Sequence, residues 1–373
     1  MFGARVRSLW ALAPDCIFLN HGSFGATPIP VLQAQSHWQR EIEGQPVAFL
    51  VKELLPHLDR SRLALAEFIQ DDPHNLVFVD NATTGINTVL RSLCWQPGDK
   101  VLTTNHVYGA VRQALQFISD RYGVEIIFAP VPFPCQDILS VLLPWITADL
   151  KLIVIDHITS PTALVFPIAA IIAHAHSQGV PVLVDGAHAP GMVDLNLQQL
   201  GADWYVGNCH KWLCSAKGCA FISTQPQWQE FTHPLTISHG YQKGYQQEFN
   251  WMGTRDFSSW LALPEAIGFL QSLGLSHSRN YNRDLIYQGG NILAAALGTT
   301  MTSRPEIFML TLPLPDRWQS YSPQELHDWL WQSHRIEVPV IAWENRLYIR
   351  ISAQVYNEPR DYETLAQVLQ SKL

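Results

Sequence analysis

The chain is short of charge. Only 15% of its 373 residues are Asp, Glu, Lys or Arg, well below the quarter usual in globular proteins. With 47% apolar residues beside so little charge, a disordered chain is excluded. Basic residues are the minority, 24 Lys and Arg against 32 Asp and Glu for a net charge of −8. None are gathered into a block, so neither nucleic acid nor an anionic membrane is an expected partner. Long apolar runs are missing too, and SLWALA near the start is too short for a membrane span or a signal peptide. Cysteine is sparse: six, at 16, 94, 135, 209, 214 and 219, with no CxxC pair. That spacing speaks against a zinc ribbon or a disulfide scaffold and for free thiols in a reducing cytosol. Cys209, Cys214 and Cys219 lie five apart beside His210, a spacing that fits no common metal-ligand set. A soluble, cytoplasmic protein without a metal is therefore expected.

What the chain does have is a recurring theme. From residue 76 a short apolar run, a polar cluster and a helix-like segment succeed one another. The runs are LVFVD (76–80), KVLTT (100–104), EIIFAPV (125–131), KLIVID (151–156), VPVLVD (180–185), DWYVGN (203–208) and CAFIST (219–224). Runs without polar alternation suggest strands buried on both faces, hence a mostly parallel sheet covered by helices. GINTVLRSLC (85–94) and GAVRQALQFISDRYG (109–123) carry apolar residues at helical spacing and supply crossovers. The alternation fades after about 255, where two or three strands with helices on one side are expected. The length suits one large domain and a smaller one, or two comparable domains. The expected division is an N-terminal segment 1–15, a large domain 16–255 and a small C-terminal α/β domain 256–373.

In an open parallel sheet ligands bind beyond the carboxyl ends of the strands. Those ends carry NATT (81–84), NHVY (105–108), HITS (157–160), DGAH (185–188) and NCHK (208–211), so one crevice would receive Asn, Thr, His, Asp and Lys. NATTG leads from a strand into a helix, whose first-turn amides with the hydroxyl of Thr83 or Thr84 would form a phosphate site; a threonine N-cap would use the same hydroxyls. Asp185 ends so apolar a strand that its carboxylate needs a cation or a donor. Lys211, if desolvated, loses its proton more readily and becomes an amine nucleophile. A phosphate site, a buried carboxylate and a nucleophilic lysine are what pyridoxal 5'-phosphate requires. A flat side chain should stack on its ring, His106 being the first choice and Tyr108 the second.

The order of these motifs resembles the class V aminotransferases, fold-type I enzymes that use pyridoxal phosphate, and within them the isopenicillin N epimerase-like proteins. The motifs are LNHGSFGATP (19–28), VDNATTGIN (79–87), TTNHVYGA (103–110), HITSPTALVFPI (157–168), LVDGAHAPG (183–191), GNCHKW (207–212), GTRD (253–256) and LYIRISAQVYN (347–357). The resemblance implies that Lys211 carries the Schiff base and that Asn208 and His210 reach the phosphate with Ala82 and Thr83. It implies further that Asp185 pairs with the pyridine nitrogen, that Ser160 and His188 lie near the ring hydroxyl, and that His106 stacks. Arg350 would take the substrate α-carboxylate, a role suited to its planar fork. Asn20, His21 and Phe24 would line the substrate pocket. Thr254 would complete the phosphate site of a second subunit, so a homodimer with shared active sites is expected.

There are departures. Ser160 stands where many relatives have asparagine and Ala163 where many have glycine. The stretch HRIEVPVIAWENRLYIR (334–350) holds no cysteine, which disfavours the persulfide relay of the cysteine desulfurases and leaves direct C–S elimination open. The shared chemistry is removal of the α-proton of an amino acid by the freed lysine. Epimerisation is the first expectation for the fate of the resulting carbanion; C–S elimination or transamination is the alternative. A non-catalytic protein that binds the cofactor is the competing class, and it has no need of lysine, aspartate and arginine together.

Overall fold

The computed structural model describes residues 2–301 and 304–371. Its strands are β1 (Ile17–Phe18), β2 (Leu76–Val79), β3 (Lys100–Thr104), β4 (Glu125–Ala129), β5 (Leu150–Asp156), β6 (Val182–Asp185), β7 (Trp204–Asn208), β8 (Ala220–Thr224), β9 (Met309–Pro313), β10 (Ile336–Glu337), β11 (Val340–Trp343) and β12 (Arg346–Ser352). The chain falls into two compact units, one of residues 30–160 and 166–269, the other of 1–29, 161–165 and 270–373. Both are assembled from separated stretches, unlike the linear division into 1–15, 16–255 and 256–373.

The first unit is built on a seven-stranded sheet in the order β2-β8-β7-β6-β5-β3-β4. Strand β8 runs antiparallel to both its neighbours; the other pairings are parallel. Strands β2, β6, β7 and β8 are buried along their whole length, as apolar runs without alternation require. At the edge of the sheet β4 is different: only Ala129 is buried, while Glu125 and Phe128 are exposed. On one face the helix Ala82–Ser92 and the helix Gly109–Tyr122 supply Ile86, Val89, Val111 and Leu115. These join Val77, Val101, Val154, Leu183, Val206 and Ile222 of the sheet in one hydrophobic cluster.

The second unit holds a three-stranded antiparallel sheet, β11-β12-β9. Its core takes Leu285, Ile286, Leu293 and Leu297 from the helix Leu275–Leu297 and Tyr362, Leu365 and Leu369 from the helix Pro359–Ser371. Strand β1 pairs in parallel with β10, Ile17 opposite Ile336, so the N-terminal residues contribute a strand to this unit. Among the described residues no helix is long and apolar enough to cross a membrane.

Candidate active site

Strands β2, β7, β6, β5 and β3 share one direction, so their carboxyl ends lie along one edge of the larger sheet. Side-chain alternation then selects the face. Val154 and Leu183 are core residues beneath the helix Ala82–Ser92. Two residues further along each strand, Asp156 and Asp185 project to that same face at the edge.

The helix Ala82–Ser92 begins at this edge. Its N-cap is Asn81, whose Oδ1 accepts from the Thr84 amide at 2.9 Å and the Thr84 hydroxyl at 3.2 Å. Asparagine, rather than a threonine, therefore does the capping. The Ala82 amide donates to Asn208 Oδ1 from the end of β7, at 2.9 Å. Among the described residues nothing takes the Thr83 amide or hydroxyl; its carbonyl alone is used, by Asn87. A free amide and hydroxyl in the first turn, with the positive end of the helix dipole behind them, suit an anion.

Lys211, in the loop after β7, is buried with His188 and His210. Its Nζ lies 3.2 Å from His188 Nε2, and on the far side of that ring Trp212 Nε1 donates to Nδ1 at 3.3 Å. Tryptophan can only donate, so His188 Nδ1 must accept; a neutral ring then carries its proton on Nε2 and points it at Lys211. The loop is held close by Gly191 at φ 89°, where a Cβ would meet the Trp212 carbonyl oxygen at 2.3 Å. Burial pushes the His210 imidazole down to about 4, so it stands neutral with Nδ1 3.2 Å from the Cys219 carbonyl.

Asp185 is buried and its Oδ1 accepts from the Ala187 amide at 3.0 Å. Burial raises its carboxyl above the ordinary value, and Lys211 acts in the opposite sense. Behind it Gly186 gives room to Tyr205, whose ring atoms lie 2.2 Å from where a Cβ would be. The Tyr205 hydroxyl shares a hydrogen bond of 2.8 Å with His157 Nδ1, and burial lowers that histidine to about 4.

Of the two stacking candidates, His106 is fully buried with Nε2 2.8 Å from the Val131 carbonyl. Tyr108 is 44% exposed at the start of the helix Gly109–Tyr122. Ser160 is partly exposed. Thr254 is exposed, in a loop whose next residue, Arg255, pairs with Asp80 and lies 4.1 Å over the Trp260 ring.

The remaining expected residues belong to the second unit. Arg350 is buried on β12 and donates to Ser23 Oγ at 3.1 Å. Ser23 donates to Asn20 Oδ1 at 2.5 Å, and Asn20 Nδ2 to Glu337 at 2.8 Å. His21 is fully buried, with Nδ1 2.8 Å from the Tyr356 hydroxyl, whereas Phe24 is exposed. Among the described residues no group of three His, Cys, Asp or Glu could hold a metal, and all six cysteines are free.

Sequence reasoning missed three participants. Asp156 ends an apolar run as Asp185 does, and the same demand for a partner could have singled it out. Trp212 adjoins Lys211, but adjacency gives no hint that it fixes a histidine tautomer. Ser23 sits within the GSFG segment without any mark of an arginine partner.

A mostly parallel sheet with an anion-ready helix end, a carboxylate and a buried lysine along its carboxyl edge defines an α/β ligand-binding domain. The chain belongs to the class V aminotransferase family, whose model matches residues 17–310. It is 31% identical to an L-cysteine desulfhydrase of Arabidopsis thaliana over 94% of this chain and 86% of that one. With an isopenicillin N epimerase of Streptomyces clavuligerus the identity is 29%, over 98% and 96%. In fold it is similar to a cystine C–S lyase in complex with its reaction product cysteine persulfide, with a TM-score of 0.85, 22% identity, and 96% and 98% of the two chains covered.

Proposed function

We propose that the chain is a pyridoxal 5'-phosphate enzyme acting at the α-carbon of an amino acid through Lys211, with β-elimination at a C–S bond as its reaction. The observation that carries this is the Trp212–His188–Lys211 chain, which holds the lysine amine in a buried setting at the carboxyl edge of the sheet. The donor set suits the cofactor: the Thr83 amide and hydroxyl for the phosphate, Asp185 for the ring nitrogen, His188 beside Lys211. When bound, the cofactor supplies an electron sink for the pair left behind when the α-proton departs. Lys211 would hold the cofactor and, as a free amine, would serve as general base for that proton. His188 orients the lysine. Asp185 would pair with the ring nitrogen and favour its protonated form.

Elimination is favoured over epimerisation because it asks for no second acid across the ring from Lys211. The relative named as an L-cysteine desulfhydrase and the neighbour named as a cystine C–S lyase support it. The epimerase relative supports the second reading, inversion at the α-carbon. The resemblance alone assigns the substrate carboxylate to Arg350 and ring stacking to His106. A homodimer, with Thr254 serving the partner, is supported by the apolar row Val47, Val51 and Leu55, all exposed on one helical stretch. Free cysteines suit the reducing cytoplasm.

The test is to incubate the cofactor-loaded protein with L-cysteine, L-cystine and a panel of other L-amino acids in deuterated water. Sulfide from L-cysteine, a persulfide from L-cystine, and a keto acid and ammonia from both are expected; D-isomer without sulfide or persulfide would move the assignment to epimerisation. No α-proton exchange with any amino acid would reduce the protein to a cofactor-binding one.

A further inference from the structure

A single carboxylate is enough for a ring nitrogen, yet this sheet edge carries two. Asp156 on β5 and Asp185 on β6 are register partners in a parallel pair, and neighbouring strands lie only about 4.8 Å apart. Both side chains project to the face of the helix Ala82–Ser92, as the alternation from Val154 and Leu183 requires. Asp156 is 3% exposed, and its Oδ2 finds no hydrogen-bond partner among the described residues. Ionised, that oxygen would be an unpaired buried charge beside a second carboxylate, which is expensive on both counts. Lys211 is the cation that acts on both aspartates, and Tyr205 on β7 in turn feels Asp185. Burial outweighs the attraction of Lys211 at both carboxyls.

We propose that Asp156 and Asp185 are a proton-sharing carboxyl pair in which Asp156 carries the proton and Asp185 the charge, making Asp156 a positioning residue for whatever cation Asp185 binds. Each carboxyl receives a backbone amide, Asp185 from Ala187 and Asp156 from its own residue, and the division of roles follows from what remains: the buried Asp156 Oδ2 is left without a partner, and of the two only Asp156 feels the charge of the other, so Asp156 needs the proton. Burial first, and the Asp185 charge second, hold the Asp156 carboxyl well above the usual carboxylate range. One proton over four oxygens leaves the pair with a single negative charge, the complement of one protonated ring nitrogen. That last step rests on the proposed function; the shared proton does not.

The test reads the protein with and without cofactor. Infrared spectra of the cofactor-free protein at neutral pH should show a protonated-carboxyl C=O stretch that shifts in deuterated water, persists in D185N and vanishes in D156N. Its absence from the wild type, or its survival in D156N, would overturn the proposal. Stability against pH gives a second readout. A carboxyl raised in the fold contributes stability below its unfolded value and loses it as pH rises through the folded one. D156N, with nothing to ionise, should therefore lose less stability than the wild type as pH rises from about 4; a parallel decline would count against the pair. With pyridoxal phosphate, D156A should bind about tenfold more weakly, while D156N, which keeps a neutral donor, should stay within about twofold; equal losses in both would also overturn the positioning role. If D156A fails to fold, the infrared and D156N arms stand. A protein that shows the band but never takes up the cofactor would refute the proposed function and leave the pair intact.

Discussion

Asn208 allows the anion site to be separated from the fold that carries it. Its Oδ1 accepts the Ala82 amide at 2.9 Å, and both residues are 5% exposed. Asn208→Ala leaves that first-turn amide buried without a partner, which costs about 1–3 kcal/mol. Asn208→Asp keeps an acceptor in place, and the attraction of the helix N-terminus for the added negative charge, about 0.3–1 kcal/mol, offsets part of the cost of burying it. The same charge opposes an incoming phosphate: like charges in close proximity at an effective dielectric near 20 repel by about 3 kcal/mol, or about a hundredfold in affinity. The two substitutions should thus move stability and affinity in different patterns. Denaturant unfolding of the cofactor-free protein should show Asn208→Ala weakened, and raising the pH through the carboxylate range should weaken Asn208→Asp relative to the wild type, because the new charge is buried. Titration with pyridoxal phosphate should show Asn208→Asp the poorer binder of the two. An Asn208→Asp protein that binds phosphate as tightly as the wild type would refute the assignment of this helix end to an anion.

Gly186→Ala places a Cβ 2.2 Å from the Tyr205 ring, which its bond to His157 holds in place; overpacking of this kind costs about 1–3 kcal/mol, measurable as an earlier unfolding midpoint. Burial lowers His157 to about 4 from 6.5, so the unfolded chain takes up a proton that the fold refuses. Its contribution is full above 6.5 and lost as pH falls towards 4; His157→Gln should flatten that part of a pH–stability curve, and an unchanged slope would contradict it. Val51→Asp, at a position 73% exposed in the apolar row, should give a monomer by sedimentation; a wild type that is already monomeric would refute the dimer reading.

Much of the larger sheet could be read from sequence because strands buried on both faces announce themselves as unbroken apolar runs, and β2, β3 and β5–β8 fall within or beside the expected ranges. The direction of β8 could not, since a buried strand has the same composition whichever way it runs. Strands β1 and β10, of two residues each, carry no periodicity, and the membership of residues 1–29 in the second unit depends on pairings with residues more than 300 positions away, such as Ile17 with Ile336. At the site, Lys211 and Asp185 stood out because charge at the end of an apolar run needs a reason. Asp156 met the same criterion but is intelligible only once β5 and β6 are seen in register. Asn81 and Trp212 act through the direction of a single hydrogen bond, which composition and spacing do not encode.

The most direct test concerns Lys211. Cofactor-loaded protein should be reduced with borohydride, digested and examined by peptide mass spectrometry, with Lys211→Ala treated in the same way. A pyridoxyl adduct on Lys211 in the wild type and none in the variant is the expected result; an adduct on another lysine, or none in either protein, would contradict the account.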